Sequence, residues 1–278
     1  MGKDVEWKSY FEDNHRYADI INGIGCDGVQ LVKDTDLKEV DTASARKARD
    51  LLRRTAFGAN FALIGIENQE TADYQFPLRN MCYDGYQYQR EAKAIRRELK
   101  EQKKGLNAGE FLYGFSKESK LHPIITFVLY AGKEPWDGPT CLHDMLDFSE
   151  MPERLRDLTP NYRVNIVDIR RMENTEVFQT DVRYVFDFIR CSEDKKKLLE
   201  LVESNDFFKQ MDEEAFDVVT KYTNSKELVQ IKEEQVEGGK TDVCKAIRDL
   251  MDDSRMEGIE QGREEIRLEN ARNHLIWQ

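Results

Sequence analysis

No stretch of the chain approaches the roughly 18 apolar residues that a membrane-spanning helix needs, so no spanning helix is expected. The opening residues, Met1 to Glu6, lack the apolar run of a secretory leader, and Glu6 stands where a myristoylation signal carries Ser or Thr. Cysteines number only five (Cys26, Cys82, Cys141, Cys191, Cys244), far apart and without a C-x-x-C pair. An odd count at such spacing suits reduced thiols in a cytoplasm, not a disulfide frame or a zinc site. The four histidines, His15, His122, His143 and His274, are equally scattered, which excludes the clustered ligands of zinc. Basic charge is short as well: 42 Lys and Arg face 54 Asp and Glu, a net charge of -12. Phosphate affinity is mostly electrostatic, so such a chain does not coat itself broadly with nucleic acid.

What remains is a heavily charged, water-soluble chain of 278 residues, 40% hydrophobic and 35% charged, with a mean hydropathy of -0.71. That length buries a real core. Residues 5–23 read as an amphipathic helix ended by Gly23 and Gly25. Residues 29–49 are a polar transition. Asp50 to Gln69 has the strongest hairpin pattern, with turn-prone Gly58 ahead of the Phe61–Ile66 run. A long helix is expected from Phe76 to Lys104, entered at Pro77. Pro123 to Tyr130 is a continuous β-branched apolar run, the pattern of a buried central strand. Val164 to Ile169 is a further strand, and from Thr175 onward everything reads as helix, with breaks near Ser192, Asp206, Thr223 and Gly238-Gly239. The sum is an α/β domain over 1–190 and a helical C-terminal region over 191–278. The charged end around Met256–Arg267 is expected to be exposed or to pair with a partner, a homodimer through the C-terminal helices being one arrangement.

The chemistry-bearing pattern sits on the hairpin. If Gly58 and Ala59 are its two turn residues, Asp50 and Glu67 lie eight positions from the turn on either side. They then face each other across an antiparallel pair with Cβ atoms about 5 Å apart. Two carboxylates so placed repel, and a hard cation such as Mg²⁺ (or Mn²⁺) removes the repulsion. Gln69 shares the face of Glu67, while Asn68 offers a backbone carbonyl as a further oxygen ligand. Arg46, Lys47, Arg49, Arg53 and Arg54 cluster alongside. Such a set suits metal-assisted hydrolysis of a phosphodiester. A one-residue slip in register would send Glu67 and Gln69 to the other face, leaving an ordinary hairpin end with solvated polar residues. A second basic cluster, Lys93 to Lys104, is interleaved with Glu91, Glu98 and Glu101 and reads as a solvated helix face.

Asp50 after Lys47-Ala-Arg, the Glu67-Asn-Gln69 triplet after Ala62-Leu-Ile-Gly-Ile66, Phe76-Pro-Leu-Arg79-Asn-Met-Cys-Tyr83, Leu121–Tyr130, Trp136-Asp-Gly and Asn161–Asp168 together resemble the Rpn family of recombination-promoting nucleases (YhgA-like transposases). The likeness covers about residues 10–190. It implies a restriction-endonuclease-like core of the PD-(D/E)XK superfamily: a mixed central sheet flanked by helices, with a helical appendage. It further implies Asp50 and Glu67 as Mg²⁺ ligands and DNA as the substrate. Gln69 departs from the superfamily's usual lysine and matches this family's glutamine variant. By the same resemblance Arg79 and Tyr83, four apart on one helix face, hold substrate phosphate; Arg53, from the basic cluster beside the site, is a further substrate-binding candidate.

Asp19 is a further acidic candidate on the first helix, read rather as a surface residue, and Trp136 reads as a loop anchor. The leading expectation is a Mg²⁺-dependent DNA endonuclease linked to recombination or mobile elements. A nuclease-fold DNA-binding or regulatory protein without efficient cleavage is the alternative, and strand transfer stands below both.

Overall fold

The computed structural model describes residues 5–40, 51–55, 58–66, 73–102, 107–223, 240–245, 247–248, 263 and 266. The chain divides into two compact units, Met1–Arg183 and Tyr184–Gln278.

Unit one opens with α1 (Val5–Tyr10) and α2 (Asn14–Ile20). The continuous helix expected over 5–23 is broken because Asp13 caps a new one. Its carboxylate accepts the backbone N–H of His15 at 2.6 Å and of Arg16 at 3.4 Å, satisfying donors that a helix start leaves orphaned. A π-helical turn, Ile21–Gly25, follows α2 directly. Next come β1 (Lys38–Glu39), β2 (Leu51–Arg54), β3 (Asn60–Ile66), α3 (Phe76–Gln102), α4 (Ala108–Tyr113), β4 (Ile124–Tyr130), α5 (Glu153–Arg156) and β5 (Asn165–Asp168). The five strands form one sheet in the order β1-β2-β3-β4-β5. β2 runs antiparallel to both β1 and β3, whereas β3, β4 and β5 are parallel. A parallel pair needs a long crossover, and α3 supplies it between β3 and β4. The mixed sheet flanked by helices is the α/β architecture expected from the sequence.

Successive residues of a strand face opposite sides, and β4 shows both. Phe127 stacks near Phe61, with centroids 6.0 Å apart, on the side where the Tyr17 hydroxyl of α2 donates to the Phe61 carbonyl at 2.7 Å. Val128 points the other way, into a cluster with Phe76 of α3 and Val164, against which Trp136 packs. Trp136 is thus the loop anchor that was expected; its indole N–H donates to the Gly138 carbonyl at 2.8 Å.

The segment from Thr175 to Asp181, expected as helix, is instead a strap held on α2. Asp19, only 3% exposed, accepts the backbone N–H of Gln179 at 2.9 Å and that of Thr180 at 2.7 Å, together with the Thr180 hydroxyl at 2.7 Å. The surface reading of Asp19 is therefore corrected: its charge is buried and satisfied. Arg16 adds a pair to Asp181 through Nε at 2.9 Å and Nη2 at 2.8 Å. Gly23 completes the fit, because a Cβ there would run into the ring of buried Phe178.

Helix α6 (Val182–Cys191) leads into unit two, which holds α7 (Lys195–Ser204), β6 (Met211–Asp212), α8 (Glu213–Thr223) and β7 (Lys240–Thr241). Breaks near Ser192 and Asp206 fall where the sequence places them, while those expected beyond Thr223 and at Gly238-Gly239 lie outside the described residues. The all-helical expectation misses one feature, an antiparallel pair joining Met211 to Thr241. Two-residue strands carry too little alternation to register as a pattern. Within this unit Phe208 lies 5.9 Å from Phe188 and 5.4 Å from Phe207, centroid to centroid. The 256–267 end lies outside the described residues except Arg263 and Ile266. Among the described residues no helix is long and apolar enough to cross a membrane.

Candidate functional site

The hairpin is closed by Thr55. Its N–H donates to the Ala59 carbonyl at 2.9 Å, its carbonyl accepts from Gly58 at 3.0 Å, and its hydroxyl accepts the Ala59 N–H at 3.2 Å. Ala59 is thus already paired with Thr55 and is not a turn residue. Gly58, just before it, has φ +85°, a left-handed conformation natural to glycine. The registration follows: Leu51 opposes Leu63 and Arg54 opposes Asn60. A two-residue turn at Gly58-Ala59 would have set Leu51 against Ile66. Counting from the turn therefore no longer sets position 50 opposite position 67. The last three residues of β3, Ile64 to Ile66, pair with Val128 to Tyr130 of β4.

Asp50, Glu67, Asn68 and Gln69 lie outside the described residues, as do Arg46, Lys47 and Arg49. What is described is the frame that carries them. Asp50 is the residue before β2 and Glu67 the residue after β3. In an antiparallel hairpin those two attachments belong to the same open end. The parallel strands finish there too, with Ile66 registered on Tyr130 and Tyr130 on Asp168. Among the described residues no group of three or more His, Cys, Asp or Glu side chains is placed to hold a metal ion.

Of the candidates that are described, Arg79 stands on the first turn of α3. It pairs with Asp73 at 2.6 Å, and its guanidinium lies 5.3 Å from the Phe76 ring. Its side chain is half-exposed. Tyr83, part-buried, follows one turn later on the same helix. Arg53 is placed differently. It is 5% exposed, pairs with Glu39 at 3.2 Å, donates to the Asn14 amide oxygen at 3.4 Å and lies 5.6 Å from the Tyr17 ring centroid. A phosphate would have to compete with Glu39 for it.

Two arrangements in this unit were not anticipated. Arg170 Nε donates to the Ala131 carbonyl at 2.7 Å. Arg171 pairs with Asp168 at 3.0 Å and donates to the Gly132 carbonyl at 3.5 Å and to that of Lys133. Together they pin the loop leaving β4, and the signal was the Arg-Arg pair directly after a strand. On α3, Asn80 and Asp84 are 1% and 6% exposed. The Asn80 amide donates to the Tyr162 hydroxyl at 2.6 Å, which donates to Asp84 at 2.5 Å. Two short polar residues four apart on the inward side of a helix are the trace of that network.

The Trp136 loop is clasped at both ends. Tyr74 donates its hydroxyl to Asp137 at 3.1 Å, which holds the phenol above its ordinary pKa. Asp144 accepts the N–H of Thr140 at 2.8 Å and of Cys141 at 3.1 Å. Its carboxyl is held below the ordinary value of 3.8, chiefly by the Thr140 N–H. A depressed folded-state pKa contributes stability above the unfolded value, lost as pH falls through the folded one. Asp144→Asn is accordingly expected to lower the urea midpoint at neutral pH, with a deficit that shrinks as the pH is taken down below the ordinary carboxylate range; a deficit that does not change with pH would overturn the assignment.

Residues 54–216 match the family described as "Putative transposase, YhgA-like". No curated protein and no solved structure matches the chain.

Proposed function

Because the chain belongs to the YhgA-like family, which ties it to mobile elements or recombination, we propose that it is a Mg²⁺-dependent endonuclease of the PD-(D/E)XK type acting on DNA. The supporting observation is the hairpin: the residue entering β2 is Asp50, the residue leaving β3 is Glu67, and those strands pair antiparallel beside parallel β4. The donor set fits the ion, since two carboxylates and the Asn68 carbonyl are hard oxygen ligands of the kind Mg²⁺ takes. When bound, Mg²⁺ supplies positive charge to the scissile phosphate and acidifies a coordinated water.

The protein's own residues do the rest. Asp50 and Glu67 hold the cation. Gln69 orients the attacking water by hydrogen bonding but carries no charge, so unlike a lysine it does not stabilise the developing anion electrostatically. Arg79 grips a phosphate by exchanging Asp73 for it, and Tyr83 adds a hydroxyl one helical turn on. Arg53 supports the sheet beneath from its pair with Glu39.

Supercoiled plasmid tests the reading. Nicking is expected with Mg²⁺ or Mn²⁺ and is expected to vanish with EDTA, returning when Mg²⁺ is restored in excess. Nicking that persists in EDTA overturns the metal assignment. A second reading, a DNA-binding protein that does not cut efficiently, draws on Gln69 and on the internal pairing of Arg53; DNA binding without nicking under every divalent cation favours it.

A further inference from the structure

At the turn end of the same hairpin, away from the open end that Asp50 and Glu67 adjoin, α3 supplies a buried carboxylate. The Glu91 side chain is 10% exposed. It accepts the backbone N–H of His122 at 3.1 Å, contacts Nδ1 of that imidazole and lies 3.6 Å from Nη2 of Arg54. Arg54 is fixed from its other side, its Nε donating to the fully buried Asn60 at 2.9 Å. One carboxylate thus orients two side chains from two different elements, the arrangement by which a ligand-binding His or Arg is commonly held in place. With Nδ1 committed to Glu91, Nε2 is the ring atom left for a ligand, an acceptor in the neutral imidazole and a donor in the imidazolium.

These groups border a cavity of about 340 Å³, within the range of small-molecule sites. Arg90 and Lys120 also line it, and Lys120 has no ion-pair partner among the described residues. Four cationic or cationisable side chains therefore meet two carboxylates there, Glu91 and Glu98, and Glu91 is already engaged by His122 and Arg54. If the cluster served only to fasten α3 to the sheet, neither Lys120 nor an Nε2 without a hydrogen-bond partner among the described residues would be needed. Val40, Ala94 and Ile95 add apolar surface to the lining.

The geometry points to a binding site for a phosphate-bearing ligand of mononucleotide size, its phosphate held by Arg54, Lys120 and Nε2 of His122. The guanidinium and ammonium groups supply charge-assisted hydrogen bonds to the phosphate oxygens. The site uses neither Asp50 nor Glu67 and does not depend on cleavage. Free nucleotide and a DNA terminus or backbone present the same group, and the cavity itself does not choose between them.

Calorimetric titration of the full chain separates the cases, with inorganic phosphate, adenosine monophosphate, adenosine and a short DNA duplex as probes. Saturable binding of the monophosphate or of the duplex is expected, with none of adenosine. Lys120→Gln breaks no side-chain hydrogen bond among the described residues and is expected to weaken binding by about tenfold; His122→Asn tests the imidazole. Tighter binding of the monophosphate than of the duplex identifies a nucleotide site, and the reverse order a DNA contact. Repeating the titration in Asp50→Ala, where binding is expected to persist, separates this site from the cleavage centre. No saturation by any phosphate-bearing probe, or equal affinity in wild type and Lys120→Gln, overturns the proposal.

Discussion

Asp50→Ala and Glu67→Ala are each expected to lower Mg²⁺-dependent plasmid nicking by at least about a hundredfold, the scale of losing one group that stabilises a transition state directly. The two carboxylates are assigned to one cation, so they act as a unit. The double variant is then expected to be no worse than the poorer single variant, since losses within a unit do not add. Stability should move in the other direction. Like charges held near one another without a cation repel, so neither variant is expected to melt below wild type in EDTA. Wild type alone should gain thermal stability when Mg²⁺ is added, because a ligand that binds only the folded state stabilises it by mass action. Nicking unchanged in both variants, or an equal Mg²⁺-induced rise in melting temperature in all three proteins, removes these residues from the site.

Asp19→Ala carries the second large effect, and it falls on stability. The carboxylate receives the N–H groups of Gln179 and Thr180 and the Thr180 hydroxyl, and it is buried. Removing it leaves those donors, in a part-buried contact, without their acceptor, each worth about 1–3 kcal/mol when left unpaired. A loss of about 3–5 kcal/mol in urea unfolding is expected, allowing for partial relaxation. Asp19→Asn keeps the volume and one acceptor but turns an amide N–H₂ toward donors, so it should lose somewhat less. A loss under about 1 kcal/mol for Asp19→Ala would sink the account. The opposite pattern, full stability with abolished nicking in Asp19→Asn, would return Asp19 to the list of site acids.

Much of the sheet was legible. The run from Pro123 to Tyr130 matches β4 because a strand covered on both faces needs no alternation, and its β-branched residues bounded by proline and glycine say so locally. Helix α3 was readable from Pro77 at its start. The hairpin's existence was legible but its register was not. The deciding group is Thr55, whose hydroxyl and main chain close the loop one residue before Ala59 is counted as turn; a side chain bonding to backbone competes with simple counting. Asp19 looked like a surface acid because its partners lie 160 and 161 residues away, and no local pattern encodes that. The same distance explains why Thr175 to Asp181 was expected as helix: α2 claims its backbone donors from outside. Arg53 offered a phosphate contact by proximity alone, while strand parity placed it against Tyr17 and Glu39. The candidate centre was readable as residues flanking two strands, and its convergence in space was not.

The strap on α2 has a consequence for the order in which the chain acquires its shape during synthesis. Until Thr180 has left the ribosome, Asp19 lacks every donor that receives it in the finished unit, and Arg16 lacks Asp181. Closing a contact across so many residues comes late, because loop-closure entropy must be met before the contact repays it. A nascent chain that already carries Asp50 and Glu67 therefore still has its first helices undocked from the strap, and premature termination between residues 67 and 179 would leave a fragment with both carboxylates but without the fastening that seats α2.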